Sequence, residues 1–239
     1  MVLQKILRVS ILYLLKRFSV LVFSLLFAGI ANSQTITKEF KKNSSVLFFP
    51  KSKILKNKTI PLQYDTITRI ALMYYPELEN TKIKIRIKMQ ASPLTARPSL
   101  FAIFSRASKR NYIITISNKV DSKFSTILLS NLSFNSQIGV IGHELGHIAD
   151  YNSRYGIYFI KLLFMHLNKR KMDRFEYNTD MRCIEHGLGY QLLSWSKEVR
   201  LKLNLIQWKG IKHLNKQGRE RYMNPESIIK TISQNKIYN

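Results

Sequence analysis

The residues of this chain best suited to chemistry stand within five positions, His143-Glu144-Leu145-Gly146-His147. On a helix, residues four apart lie one turn apart on the same face, so both imidazoles can reach a single ion. Glu144 is rotated by about 100° from His143 and stands beside that ion, where its carboxylate can take a proton from a metal-bound water. Ile138, Val140, Ile141, Leu145 and Ile148 make the surrounding helix apolar. Imidazoles and carboxylates in such a setting cost free energy unless something satisfies them. This weighs against the plain alternative, a surface helix carrying two solvated histidines.

A catalytic zinc site needs a third protein ligand and an open position. One zincin pattern takes a third His six residues beyond the second, with a Gly between; here those positions hold Ser153 and Asp150. The other common source is a Glu on a later helix, followed four residues on by an Asp that accepts a hydrogen bond from a ligating His. Glu176-Tyr177-Asn178-Thr179-Asp180 has that spacing. Two alternatives stay open. Asp150, seven residues after His143, could be an outer partner or the third ligand, and Glu176 and Asp180 could be solvated charges paired with Lys171, Arg174 or Arg182.

With these two motifs the chain resembles the gluzincin metallopeptidases, in which His-Glu-x-x-His is followed by Glu-x-x-x-Asp on a second helix; the resemblance spans about residues 133 to 189. It implies His143, His147 and Glu176 as ligands of one Zn2+, Glu144 as general base, and Asp180 as partner of a ligating histidine. It further implies that the strand before the metal helix, here Tyr112, Ile113, Ile114, Thr115 and Ile116, pairs with an extended peptide substrate. The expected fold is α+β and zincin-like: an N-terminal helix and a small mixed sheet packed on the metal-binding helix, followed by a helical C-terminal half.

The elements that must hold these residues can be read from apolar periodicity. Ile67, Ile70, Ala71 and Tyr74 recur at helical spacing before Pro76. Ile83, Ile85 and Ile87 alternate with Lys84, Arg86 and Lys88, as in a half-buried strand. Val46–Phe49, Phe101–Phe104 and Tyr112–Ser117 are further strand candidates. Beyond Ser133 the pattern is helical: a metal helix capped by Ser133 or Asn135, a second over Ile157–Leu167, a third from Met172 to Trp195, and a last one opening at Pro225 and Glu226. The second is too short to span a bilayer, and a core position suits it better than an interfacial one.

Several other residues carry weaker signals. Tyr190, Tyr222 and His186 are candidates to stabilise an oxyanion, but with twelve tyrosines the choice stays open. His186 otherwise reads as an ordinary partly buried histidine, and Cys183, the only cysteine, as core. His166 and His213 have no spacing signal.

Residues 1–33 stand apart. Lys5, Arg8, Lys16 and Arg17 precede an uncharged apolar run to Ile30, and Ala31-Asn32-Ser33 follows, which reads as a secretory signal peptide. An uncleaved membrane anchor is the alternative, with Lys16 and Arg17 against it. Export to a periplasmic or secreted location is the expectation, with residues 34–239 as a single metallopeptidase domain. The net charge of +25 favours acidic partners, so a peripheral contact with anionic membrane or envelope accompanies the peptide or protein substrate. No nucleic-acid partner is expected, because the basic residues are scattered and match no nucleic-acid motif. Two rival classes remain: a zinc-stapled binding protein without turnover, which replacing Glu144 would expose, and a basic envelope or membrane-associated structural protein, which metal content would expose.

Overall fold

The structure, a computed structural model, describes residues 35–43, 55–99, 105–106, 109–204 and 220–239. The expectations for residues 1–33, for the strands Val46–Phe49 and Phe101–Phe104 and for His213 lie outside them. The chain divides into Met1–Thr35 and a compact unit, Ile36–Asn239, which holds all the helices and strands of the described residues.

That unit is mixed α+β. Helix α1, Asp65–Met73, buries Ile67, Ile70, Ala71 and Leu72 on one side, and Pro76 opens the 3₁₀ turn after it. Four strands form one mixed sheet: β1 (Lys58–Thr59), β2 (Lys82–Ile87), β3 (Leu94–Pro98) and β4 (Asn111–Ile116), in the order β1-β2-β4-β3. β1 and β4 run parallel to β2, and β3 runs antiparallel to β4. The alternation in β2 holds, with Ile83 and Ile85 buried and Lys82 and Lys84 exposed. β4 instead buries Tyr112, Ile114, Thr115 and Ile116, as a strand with neighbours on both sides does.

Helix α2, Phe134–Ser153, packs against β3 and carries the metal motif. Ser133 is its cap: its hydroxyl accepts the Ser136 N–H, and its own N–H is taken up by both oxygens of Glu198, at 3.1 and 3.0 Å. Asn135, the other candidate cap, does something else. Its amide exchanges two hydrogen bonds with the backbone of Phe40, fastening residues 36–43 to the helix. None of those residues lines the cavity at His143.

The remaining helices are α3 (Ile157–His166), α4 (Lys169–Cys183), α5 (Gly189–Lys202) and α6 (Pro225–Gln234). The expected single helix from Met172 to Trp195 is therefore broken. A five-residue π turn, Ile184–Leu188, separates α4 from α5, with Gly187 at φ 90°, a conformation open to glycine at little cost. The break lets α5 turn back along α2. The two backbones then come so close that a Cβ at Gly139 would collide with the carbonyl of Gln191. α6 begins as expected, with Asn224 accepting the Ser227 N–H ahead of Pro225. Among the described residues, no helix is long and apolar enough to cross a membrane.

Candidate metal centre

One turn of α2 brings His143 and His147 onto the same face, their rings perpendicular with centroids 4.7 Å apart. α4 lies across that face and inserts Glu176 between them. Its Oε2 stands 3.3 Å from His143 Nε2 and 3.2 Å from His147 Nε2. The ligand atoms of the three residues lie within 4.8 Å of one another, and all three side chains are buried.

The partners of the other ring nitrogens determine what these atoms can be. His143 Nδ1 is 2.8 Å from Asp180 Oδ1, a carboxylate that can only accept, so this nitrogen carries the hydrogen. Thr179 donates its hydroxyl to the carbonyl of Phe175, 3.0 Å away, so its oxygen accepts from His147 Nδ1 at 3.2 Å. In both neutral rings Nε2 is therefore a bare lone pair aimed at a carboxylate oxygen. Three acceptors converge in a buried site, and no well-directed hydrogen bond reaches Glu176 Oε2. A cation resolves that conflict, and two imidazoles with one carboxylate form a donor set that suits a zinc-type ion.

Without a metal, a proton has to serve instead. Burial pulls the His143 imidazole down, but Asp180 and Glu176 outweigh it and hold it well above the ordinary histidine range. Burial would raise the Glu176 carboxyl, yet the imidazoles of His143 and His147 bring it far below the usual carboxylate range.

Glu144 points beside this trio rather than into it. Its carboxyl is buried, Oε2 has no hydrogen-bond partner, and burial raises its pKa despite the nearby histidines and a backbone hydrogen bond from Ala96 of β3. A carboxylate tuned upward and reaching a cavity is suited to holding a proton temporarily.

The surroundings fix the rings in place. Phe175 stacks on His147 at 5.0 Å, and Tyr151 packs against both. On the other side Trp195 and Tyr222 approach His143, at 5.7 and 5.8 Å between centroids. Asp180 connects this side to the C-terminal segment, since its second oxygen accepts the Met223 N–H at 2.7 Å. A cavity of about 500 Å³ opens at His143 and Glu144, walled largely by apolar side chains including Leu94, Phe124, Leu132, Val140, Trp195 and Val199, with Tyr222 and Arg200 also on its lining.

His143, Glu144, His147, Glu176 and Asp180 thus come together from two helices. The expected substrate strand does not fit its role. Tyr112 to Ile116 pair with β2 on one side and β3 on the other, which leaves no free edge for a peptide. The outer strand near Glu144 is β3, absent from the strand candidates of the sequence because Pro93 and Pro98 at its ends hide its strand character.

Asp150 turns away. It takes the guanidinium groups of Arg154 and Arg182 at 3.2 and 3.0 Å and the Tyr158 hydroxyl at 2.9 Å. His186 bridges Glu77 and the carbonyl of Arg182 and stacks on Tyr75, while Tyr190 packs on Tyr238. Cys183 is fully buried in the core, as expected. Of the oxyanion candidates only Tyr222 reaches the site. Thr179 is a contributor that neither motif names, although Glu176, Thr179 and Asp180 occupy one helical face at i, i+3 and i+4, and that spacing could have revealed it.

Comparison with protein-family models, with curated proteins and with solved structures finds no match for this chain.

Proposed function

We propose that this chain is an exported zinc metallopeptidase of the gluzincin type on a zincin-like fold. One observation carries the reading: two buried imidazole lone pairs and one carboxylate oxygen converge within 4.8 Å, each imidazole held from behind by an acceptor, with a separate buried carboxylate, Glu144, at the cavity beside them.

When bound by His143, His147 and Glu176, zinc would supply a Lewis acid that polarises a peptide carbonyl and makes a water acidic. The rest falls to the chain. Asp180 and Thr179 hold the two rings by Nδ1, so that both Nε2 atoms stay aimed inward. Glu144 takes a proton from the attacking water at its unpartnered oxygen and later gives it to the departing amine nitrogen, a role suited to a carboxyl whose pKa burial raises. The Tyr222 hydroxyl, held protonated by burial and the nearby Glu176 carboxylate, is a donor for the oxyanion. An extended peptide would lie along the outer edge of β3, and the apolar cavity would take a bulky apolar side chain next to the cleaved bond.

The test has two parts. Purified protein should bind one zinc per chain, and Glu144→Gln should keep that zinc while losing hydrolysis of casein by orders of magnitude. A zinc-loaded wild type inactive on any peptide library would instead support a zinc-stapled binding protein. Equal activity in wild type and Glu144→Gln would remove α2 from the reaction. Export is a separate part of the proposal: mass spectrometry of the natural protein should find its N-terminus near Gln34, and an intact Met1 in a membrane fraction would establish an anchor.

A further inference from the structure

A second surface, independent of the peptidase reading, lies where α3 and α4 meet the end of α2. Between Arg154 and Arg182 the chain has seven basic residues: Arg154, Lys161, Lys169, Arg170, Lys171, Arg174 and Arg182. Its acidic residues are Asp173, Glu176 and Asp180, all buried, as is Asp150 just before it. Every carboxylate here is thus withdrawn from solvent, while the basic residues remain outside or line a cavity of about 330 Å³ that includes Arg154, Lys161, Lys171, Arg174 and Arg182. Asp150, itself on the lining of that cavity, neutralises part of the charge through Arg154 and Arg182; among the described residues Lys161, Lys171 and Arg174 make no ion pair.

Large apolar side chains of the same stretch of chain are exposed. Tyr155 is 87% exposed, Phe164 66% and Leu167 84%. α3 is amphipathic in an unusual sense: Phe159 and Leu162 face the core, while Lys161 and Phe164, three residues apart, share the outer face. Exposed aromatic and aliphatic groups set among unopposed cations match an anionic lipid surface, where the apolar groups enter the acyl boundary and the cations meet the headgroups. A protein partner of the same charge character would need carboxylates to meet the basic residues and an apolar pocket for each of three protruding side chains. A bilayer meets both demands without a specific shape.

We infer that this face docks the protein onto anionic membranes, with Phe164 and Leu167 inserted and Lys161, Lys171 and Arg174 on lipid headgroups. The lining of its cavity shares no residue with that of the cavity at His143, so docking leaves the metal centre open.

The test uses the full chain with a polarity-sensitive dye on Phe164→Cys, Cys183 being fully buried, and on Leu62→Cys as a control at a position 92% exposed on another element. With vesicles of phosphatidylglycerol and phosphatidylcholine, the dye at 164 should shift to the blue and the dye at 62 should not. Pure phosphatidylcholine should give no shift at either. Adding Lys161→Gln, Lys171→Gln and Arg174→Gln should raise the lipid needed for half the shift roughly 100-fold, each cation near an anionic surface being worth about fivefold. A silent dye at 164, an equal shift at both positions, or a shift unaffected by the three charge changes would overturn the assignment, and would do so whatever residues 1–33 contribute to vesicle binding.

Discussion

The two sides of the candidate metal centre hold equivalent imidazoles by different means. His143 is held electrostatically: a buried carboxylate grips Nδ1, and the same carboxylate binds the Met223 backbone, next to Tyr222, whose ring is tilted against the imidazole. His147 is held by shape, stacked against Phe175 and Tyr151, with only a neutral hydroxyl on Nδ1. A charged partner raises the basicity of a ligand and ties it to whatever else the charge binds, whereas a packed one fixes orientation alone. The His143 side should therefore respond to charge and pH, and the His147 side to volume.

The largest effect should come from the residue both sides share. Glu176→Ala removes one of the three proposed ligands and should lower zinc affinity by more than any change behind the rings; competition with a zinc-chelating dye measures it. Full zinc occupancy in that variant would break the site as described, because Asp150 is already engaged by Arg154, Arg182 and Tyr158.

Next come the two outer partners, where charge and packing are compared directly. Asp180→Ala should weaken zinc roughly 10- to 100-fold and, even when zinc-saturated, lower kcat through the loosened Tyr222. Thr179→Val preserves the shape and the aromatic stack, so its loss should lie near the lower end of that roughly 10- to 100-fold range, with kcat unchanged at saturation. Equal effects from the two variants would mean that charge and packing are interchangeable at this site.

The smallest effect is a slope. Asp180 and Glu176 outweigh burial and hold the His143 imidazole above its ordinary range, so in the metal-free chain its contribution to stability is fully present below the unfolded histidine value, near 6.5, and is lost as pH rises through the higher folded value. Zinc binding at His143, as proposed, would need that proton gone, so the affinity should rise over the same interval. Melting temperatures of metal-free and zinc-loaded protein, tracked upward from pH 6, should diverge. In Asp180→Asn the divergence should shrink.

Much of the site could be read without coordinates because its logic is local. His143, Glu144 and His147 are related by helical turns alone, and Glu176 and Asp180 announce themselves by the same four-residue step. The apolar alternation of β2, the cap at Ser133 and the start of α6 at Pro225 also arise from interactions only a few residues long. Such relations are set by backbone geometry that every helix or strand shares.

What the tertiary structure decided are contacts between residues far apart in the chain. The nearly continuous apolar run of Tyr112 to Ile116 marks a strand but is silent about its neighbours, and β3, arriving from the antiparallel side, covers the edge that a substrate would have needed. Asp150 shares a helix face with His143 but lies two turns farther along, about 10 Å away along the axis, where Arg182 from α4 claims it. The seating of Glu176, Thr179 and Asp180 against α2 goes with the close approach of α4 at Gly146, where a Cβ would meet Thr179, and the return of α5 along α2 goes with the close approach at Gly139. Neither has a periodic signature, because each is a condition on how close two backbones come, and spacing along one chain segment does not contain that distance.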